Sequence, residues 1–255
     1  MIQHSWRVLD YSSEDPALNL AIDEAILRCL LEDRSPDTLR LWRNPPSVII
    51  GCFQNPECVV DGEACTELGI KVFRRASGGG AVYHDWGNLN YSLILHKSSL
   101  TADVEDVEKS YDLFCGGVVE GLGMLGVSAC NRKGDIVIDG KKVSGSAQHR
   151  LYNTILHHGT LMIDIDFDLL GRSLGLSEPR EYLVNLHEVF SHEVPSSKIE
   201  EAISHGFEKQ FHVLIHKGTL TSKEMLTAKK LYKLKYSKEA WNSRNGDKCA
   251  ILHTV

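Results

Sequence analysis

The chain has no apolar run approaching the roughly 18 residues that a membrane-spanning helix needs, and its start, MIQHSWRVLDYSSED, lacks the basic and apolar blocks of a secretory leader. Both absences point to a cytoplasmic protein. The seven cysteines (Cys29, Cys52, Cys58, Cys65, Cys115, Cys130, Cys249) are scattered and contain no Cys-x-x-Cys pair, which fits neither a zinc site nor a disulfide framework. Most are expected to be small buried hydrophobes. Linkers, internal repeats and low-complexity tracts are missing too. The chain's 255 residues, 42% hydrophobic and 24% charged, can bury a substantial core, and its alternating strands and helices read as one α+β domain.

The balance of charge differs between the two ends of the chain. The net charge is -6, yet residues 217–255 carry nine Lys/Arg against three Asp/Glu, a balance of +6 that leaves -12 for residues 1–216. This basic stretch is short and lacks interleaved aromatic stacking platforms, which argues against a nucleic-acid binder. It reads as a solvated helix face or a docking surface for an acidic protein partner.

Arg74 to Ser92, RRASGGGAVYHDWGNLNYS, is the most informative stretch. Two arginines leave a strand-like run, Gly78, Gly79 and Gly80 follow, and a second strand-like run begins after Gly87. Glycines accept φ > 0 and have no Cβ, so backbone N–H groups can turn toward a phosphate. Arg74 and Arg75 add planar cationic forks suited to phosphate or carboxylate. A surface hairpin turn beside two solvated arginines is the plainer alternative.

Around this loop the chain reads as follows. Asp15-Pro16 starts a helix whose Leu18, Ile22, Ala25 and Cys29 share a face. TLRLWR (38–43) and SVIIGC (47–52) are short strands broken by Asn44-Pro45-Pro46 and predict a hairpin. Val107, Tyr111, Phe114, Val118, Leu122 and Leu125 mark a long amphipathic helix. Its end, Gly121 to Gly126, matches GxGxxG but closes a helix instead of opening one after a strand, so it is no dinucleotide fingerprint. The Gly134–Lys141 segment is no P-loop, because its glycines stand one residue too far apart and Lys142 occupies the Ser/Thr position. His187-Glu188 with His192 has the wrong spacing for a zincin helix.

Asn131 to Arg150, NRKGDIVIDGKKVSGSAQHR, predicts a strand over 135–138, a two-residue turn at Asp139-Gly140 and a return strand from Lys141. Neighbouring strand residues face opposite sides, so one of Lys141 and Lys142 points inward beside the small Gly-Ser-Ala residues. That lysine can approach a phosphate or carboxylate; the alternative is a solvated hairpin lysine. TILHHGTLMID (154–164) reads as a central strand with His157 and His158 on opposite faces, unable to share a metal. From about Phe167 the chain is mostly helical, with capping boxes expected at Ser197/Glu200 and Thr221/Glu224.

Together, RRASGGGAVYHDWGNLNYS, GDIVIDGKKVSGSA and HHGTL, in this order, resemble the lipoate–protein ligase A family of the biotin/lipoyl protein ligases, over nearly the whole chain. The resemblance implies a mixed β-sheet flanked by helices, related to class II aminoacyl-tRNA synthetase catalytic domains. It implies activation of lipoate with ATP and Mg²⁺ to lipoyl-AMP, then transfer to a lysine of an acceptor, a lipoyl domain of a 2-oxoacid dehydrogenase or the glycine cleavage H protein. By motif, Arg75, Gly80, Ala81, Val82 and Tyr83 would hold ATP and the adenylate. Lys142 would contact both lipoate and adenylate, Asp135 would stand in the magnesium or adenylate shell, and His84 and Asn88 would brace the loop. The chain ends soon after KYSKEAWNSRN, where longer ligases carry a further domain, so it resembles the short bipartite ligases of archaea and is expected to need a small accessory subunit. GKKVSGSAQHR also resembles the octanoyltransferases of the superfamily, whose nucleophile here would be Cys130. A chain that binds lipoate without turnover is the non-enzymatic alternative.

Overall fold

The computed structural model describes residues 5–245; the readings that involve residues 1–4, Lys248 and Cys249 lie outside them. Strands β1 (Ser5–Asp10), β2 (Thr38–Trp42), β6 (Asn88–His96), β7 (Cys130–Arg132), β8 (Asp135–Ile138), β9 (Lys141–Leu151), β10 (Thr154–Met162) and β11 (Leu214–Lys217) form one sheet in the order β11-β1-β2-β6-β10-β9-β8-β7. The β11–β1 and β1–β2 pairs are parallel and the rest antiparallel. A smaller sheet holds β3 (Ser47–Ile50) between β4 (Lys71–Arg74), parallel to it, and β5 (Val82–His84), antiparallel. The helices are α1 (Pro16–Leu31), α2 (Pro56–Val59), α3 (Gly62–Leu68), α4 (Val107–Met124), α5 (Phe167–Leu174), α6 (Leu186–Val189), α7 (Ser196–Phe211), α8 (Ser222–Leu231) and α9 (Glu239–Asn242), with a π-helical turn at Tyr232–Tyr236. This is the expected mixed α+β fold.

On one face of the large sheet α4 and α7 bury Phe114, Val118, Leu122, Ile199, Ile203 and Phe207 against Leu39, Leu93, Ile155 and Leu161. The opposite face receives Ile22, Ala25 and Ile26 of α1 and Ala228 of α8 against Leu9, Ile94 and Leu156. Alternation along β6 decides which of its residues meets which layer. Val107, at the start of the expected α4 stripe, is exposed instead. The rejected Gly-rich helix end turns out to serve packing: a Cβ on Gly206 would lie 2.2 Å from the carbonyl oxygen of Gly117 and 2.7 Å from Cα of Gly121, so α4 and α7 meet glycine to glycine.

Several expectations are corrected. Thr38–Trp42 and Ser47–Ile50 form no hairpin, because Asn44 is buried and bonded to Asn19 and His84, and the Pro-Pro break passes the chain from one sheet to the other. Helix α7 starts at Ser196 without a side-chain cap, and Glu200 pairs with Arg43 at 2.8 Å. The Thr221/Glu224 capping box is present, and Glu224 additionally holds Arg7 at 2.6 Å. Strand β11 lies within the part read as helical. Cys29, Cys52, Cys65 and Cys115 are buried free thiols, whereas Cys130 is free and exposed.

Asp15 caps α1, and its buried face carries charge into the core: Arg40 donates to Asp23 at 2.6 Å and to the Asn19 side chain at 2.8 Å. Burial alone would raise the Asp23 carboxyl; Arg40, His158 and Ser92 together hold it below its usual range. His84 and His157 are buried, and loss of water pushes each down to about 3 from 6.5. The unfolded chain therefore takes up protons on these imidazoles below about pH 6.5 while the folded chain stays neutral. Stability is complete above that pH and lost as pH falls through the window from 6.5 to 3, by roughly 2 kcal/mol per imidazole at pH 5. Urea melts at pH 7 and pH 5 should show this loss and a shallower slope for His157→Phe; a flat profile would contradict it.

Candidate active site

Strand β4 hands the chain directly to the glycine loop, and its last residue, Arg74, turns away from the cavity. Its guanidinium donates to carbonyl oxygens of Gly51, Cys52, Gln54, Trp241, Asn242 and Arg244, tying the β3 exit to the C-terminal segment. Arg75 takes the opposite direction, as alternation requires. Its Nη2 donates to the carbonyl oxygens of Gly78 at 2.6 Å and Gly80 at 2.8 Å, its Nη1 to Ile49, and its Nε to Ser77 Oγ at 3.0 Å. Burial depresses this guanidinium to about 10, which still leaves it charged at neutral pH. A trans peptide points its N–H opposite to the preceding carbonyl. With the carbonyls of Gly78 and Gly80 drawn onto Arg75, the N–H groups of Gly79 and Ala81 face away from it.

Two glycines, one from the predicted trio and one outside it, make this geometry possible. Gly79 adopts φ +88°, and a Cβ there would lie 2.9 Å from Arg75 Nη2. Gly51 lies against the loop so closely that a Cβ would sit 2.2 Å from the carbonyl oxygen of Gly79. Behind the loop, Ser77 Oγ is 2.6 Å from Nε2 of His158, whose Nδ1 is 3.7 Å from Asp23. With Nδ1 of His158 turned to the Asp23 carboxylate, its Nε2 is left to accept from the Ser77 hydroxyl.

Two cavity lobes, of about 160 and 290 Å³, meet at residues 80–82, Asp135, Lys142, Gly145 and Thr160. The first is lined by β5, an edge strand of the small sheet, and by Val59, Met162, Leu170, Leu174 and Leu183. The second runs over the large sheet beneath α1, past His158, Asn90, Trp42, Leu20 and Ile49. Lys142 stands at the junction with its Nζ 2.8 Å from Asp135, and Lys141 points outward to the carbonyl oxygen of Arg180. Burial raises the Asp135 carboxyl against the pull of Lys142. The β8–β9 register shifts at Ile136/Val137, and the Lys142 backbone, still opposite Val137, also bonds Tyr182 and Val184. The shift brings Lys142 and Gly145 together although three positions separate them: a Cβ on Gly145 would lie 2.9 Å from Lys142 Nζ.

All nine residues expected at the site line one or both lobes: Arg75, Gly80, Ala81, Val82, Tyr83, His84, Asn88, Asp135 and Lys142. Asn88 accepts from the Asp85 N–H and donates to Thr160, and His84 is held by Asn44 at 3.0 Å. Asp135 is the one carboxylate lining either lobe, and no cluster of three metal-ligating side chains occurs among the described residues. A single carboxylate suits Mg²⁺, which is commonly held by one or two carboxylates together with substrate phosphates. Gln54, Asn90, Trp42 and the aliphatic wall from α5 were not legible as site residues, since they arrive from distant segments with no motif of their own. No helix among the described residues is long and apolar enough to cross a membrane.

The tight Gly51–Gly79 contact gives a direct test. Gly51→Ala should lower stability by about 2–4 kcal/mol in denaturant melts, as overpacking against backbone does, because the clashing atom is a loop carbonyl with no free rotamer.

Comparison with known proteins agrees with this geometry. A family model of the lipoyl protein ligase A/B catalytic domain matches residues 15–208. The chain is 31% identical to the octanoyltransferase LipM of Geobacillus kaustophilus over 95% of this chain and 99% of the relative. It is 32% identical to lipoate-protein ligase A subunit 1 of Thermoplasma acidophilum over 88% and 91%. The fold superposes on a bipartite lipoate protein ligase from T. acidophilum, studied with its E2 lipoyl domain, with a TM-score of 0.85 at 31% identity over 94% of this chain and 96% of that one. It also superposes on a lipoate-protein ligase A bound with ATP, with a TM-score of 0.84 at 31% identity over 95% and 99%. With the glycine loop, the lysine hairpin and the whole fold in agreement, the chain belongs to the lipoyl protein ligase A/B family.

Proposed function

We propose that this chain is a lipoate–protein ligase, which activates lipoate with ATP to lipoyl-AMP and transfers the lipoyl group to a lysine of a lipoyl acceptor domain. The observation that carries the reading is the pair of lobes meeting at Lys142. Two anions can be brought together there, one from each lobe, at a cation held in place by Asp135. The first lobe suits a nucleotide, because an edge strand offers backbone donors and acceptors to a purine and its aliphatic walls can cover a flat ring. The second suits the acyl chain, being the larger lobe and lined in part by Trp42, Leu20 and Ile49.

In the first half-reaction the lipoate carboxylate attacks the α-phosphorus and pyrophosphate leaves. The N–H groups of Gly79 and Ala81, with Lys142, face the growing negative charge and stabilise it without reorganising. Mg²⁺, held by Asp135 and phosphate oxygens, would supply further charge neutralisation. In the second, the acceptor amine attacks the mixed anhydride, Lys142 stabilises the oxyanion, and AMP leaves. No protein nucleophile is needed. The acceptor is a lipoyl domain of a 2-oxoacid dehydrogenase or the glycine cleavage H protein, and a small accessory subunit assists adenylation, in keeping with the relative named as a ligase subunit. A cytoplasmic setting and the absence of nucleic-acid or membrane partners complete the reading.

Octanoyl transfer from a carrier protein through Cys130 is the second reading. The likeness to LipM favours it, as does the register of Cys130 opposite Val137, which lines the first lobe. Against it, Cys130 is exposed on an edge strand and lines neither lobe.

Lipoate-dependent ATP–pyrophosphate exchange, measured on the chain alone and with a small subunit, separates the two readings. Exchange in either case supports the ligase. ATP-independent octanoyl transfer that is lost in Cys130→Ser would replace it. Lys142→Ala should abolish both half-reactions with little change in melting temperature, since the ion pair is partly exposed; near-normal transfer from supplied lipoyl-AMP would contradict its second role. Gly145→Ala should lower exchange by about 10–100-fold, a barrier increase of roughly 1.4–2.8 kcal/mol, by displacing the lysine while leaving the fold intact.

A further inference from the structure

Asn90 sits in the middle of the large sheet on β6, between Trp42 of β2 and Thr160 of β10, and lines the second lobe. It is 1% exposed, and neither its Oδ1 nor its Nδ2 has a hydrogen-bond partner among the described residues. A buried amide with both ends unpaired is costly, and such groups are rare in folded chains.

Its neighbours are engaged elsewhere. The Trp42 indole N–H donates to Ser92, Thr160 Oγ1 accepts from Asn88, and His84 Nδ1 is taken by Asn44. The lobe itself is therefore the place from which a partner for Asn90 must come: water while the site is empty, and the substrate once it is bound. The site-facing strands run β9, β10, β6, β2. Asn90 is thus two strand spacings from the strand of Lys142, about 10 Å at 4.8 Å per spacing. That is comparable to the length of an extended eight-carbon acid whose carboxylate lies at Lys142.

We propose that Asn90 is a specificity-determining residue that selects acyl groups with a polar or polarisable distal end, the dithiolane of lipoate, over a plain hydrocarbon chain such as octanoate. The inference rests on the assignment of the second lobe to the acyl chain. A ring sulfur accepts from the Asn90 amide N–H, weakly but in a dry setting. The methyl end of octanoate accepts nothing. It displaces the water and leaves the amide buried and unpaired, and a site built around a polar contact rejects an analogue that lacks it.

The test compares lipoate with octanoate in wild type and in Asn90→Leu, which keeps the shape and removes both polar atoms. Wild type should prefer lipoate by about tenfold in kcat/KM for pyrophosphate exchange, the penalty expected for one unpaired buried group. In Asn90→Leu the preference should vanish or reverse, through a higher KM for lipoate and a lower one for octanoate. Calorimetric titration of each acid onto the chain without ATP should show the same change in Kd ratio. That second readout stands even if neither acid supports exchange, a result that would count against the ligase reading alone. The melting temperature of Asn90→Leu should be unchanged or higher, because an unsatisfied amide has been replaced by an apolar group of the same shape. An unchanged lipoate-to-octanoate ratio in both assays, or a marked fall in melting temperature that reveals a structural partner for the amide, would overturn the proposal.

Discussion

The capture of the glycine-loop carbonyls by the buried guanidinium of Arg75 is the contact on which the site depends. Burying that cation is unfavourable, as its lowered pKa shows, and the cost is offset by the ordered carbonyl oxygens of Ile49, Gly78 and Gly80. Each carbonyl drawn inward sends the following N–H outward, so a positive charge beneath the loop becomes a set of donors above it. An arginine read from sequence as a direct anion clamp thereby acts in large part through the backbone it organises.

That loop is held at both ends by polar groups that would be expensive to bury alone. His158 and Ser77 connect it to Asp23 of α1, which is in turn neutralised by Arg40. Removing one partner from such a buried pair leaves an uncompensated charge, typically a loss of 3–5 kcal/mol. Arg74 fixes the other end by gathering carbonyls from the β3 exit and the C-terminal segment. Helix α1 is therefore a polar scaffold for the site on one side and a packing element for the sheet on the other.

The second fixed point is the register shift within the β8–β9 pair. The shift puts Lys142 on the side of Asp135 and the small Gly145, and bonds to Tyr182 and Val184 hold the strand at its other edge. The glycine loop and this lysine then face each other across the junction of two lobes, one edged by backbone and aliphatic side chains, the other bounded by Trp42 and Asn90.

Local chemistry made part of this legible before any coordinates. Consecutive glycines beside arginines, an Asp-Gly turn followed by paired lysines, and helical spacing in α1 and α4 are short-range signals, and each corresponds to an element of the fold, with the loop and hairpin residues lining the cavity. The α+β class followed from the same alternation. What short-range signals could not convey was partnership. Strands β2 and β3 looked like a hairpin because nothing near Pro45-Pro46 reveals that Asn44 is buried among residues 19 and 84. Ser197/Glu200 looked like a capping box because the competing partner of Glu200, Arg43, lies far away in the chain. The division of labour between Arg74 and Arg75, the closeness of Gly51 to Gly79, and the isolation of Asn90 all depend on which segments the sheet brings together. The sequence by itself determined the fold class and the two segments that meet at the cavity; only the tertiary structure decided which way each residue points, because direction is set by long-range pairing that no local pattern encodes.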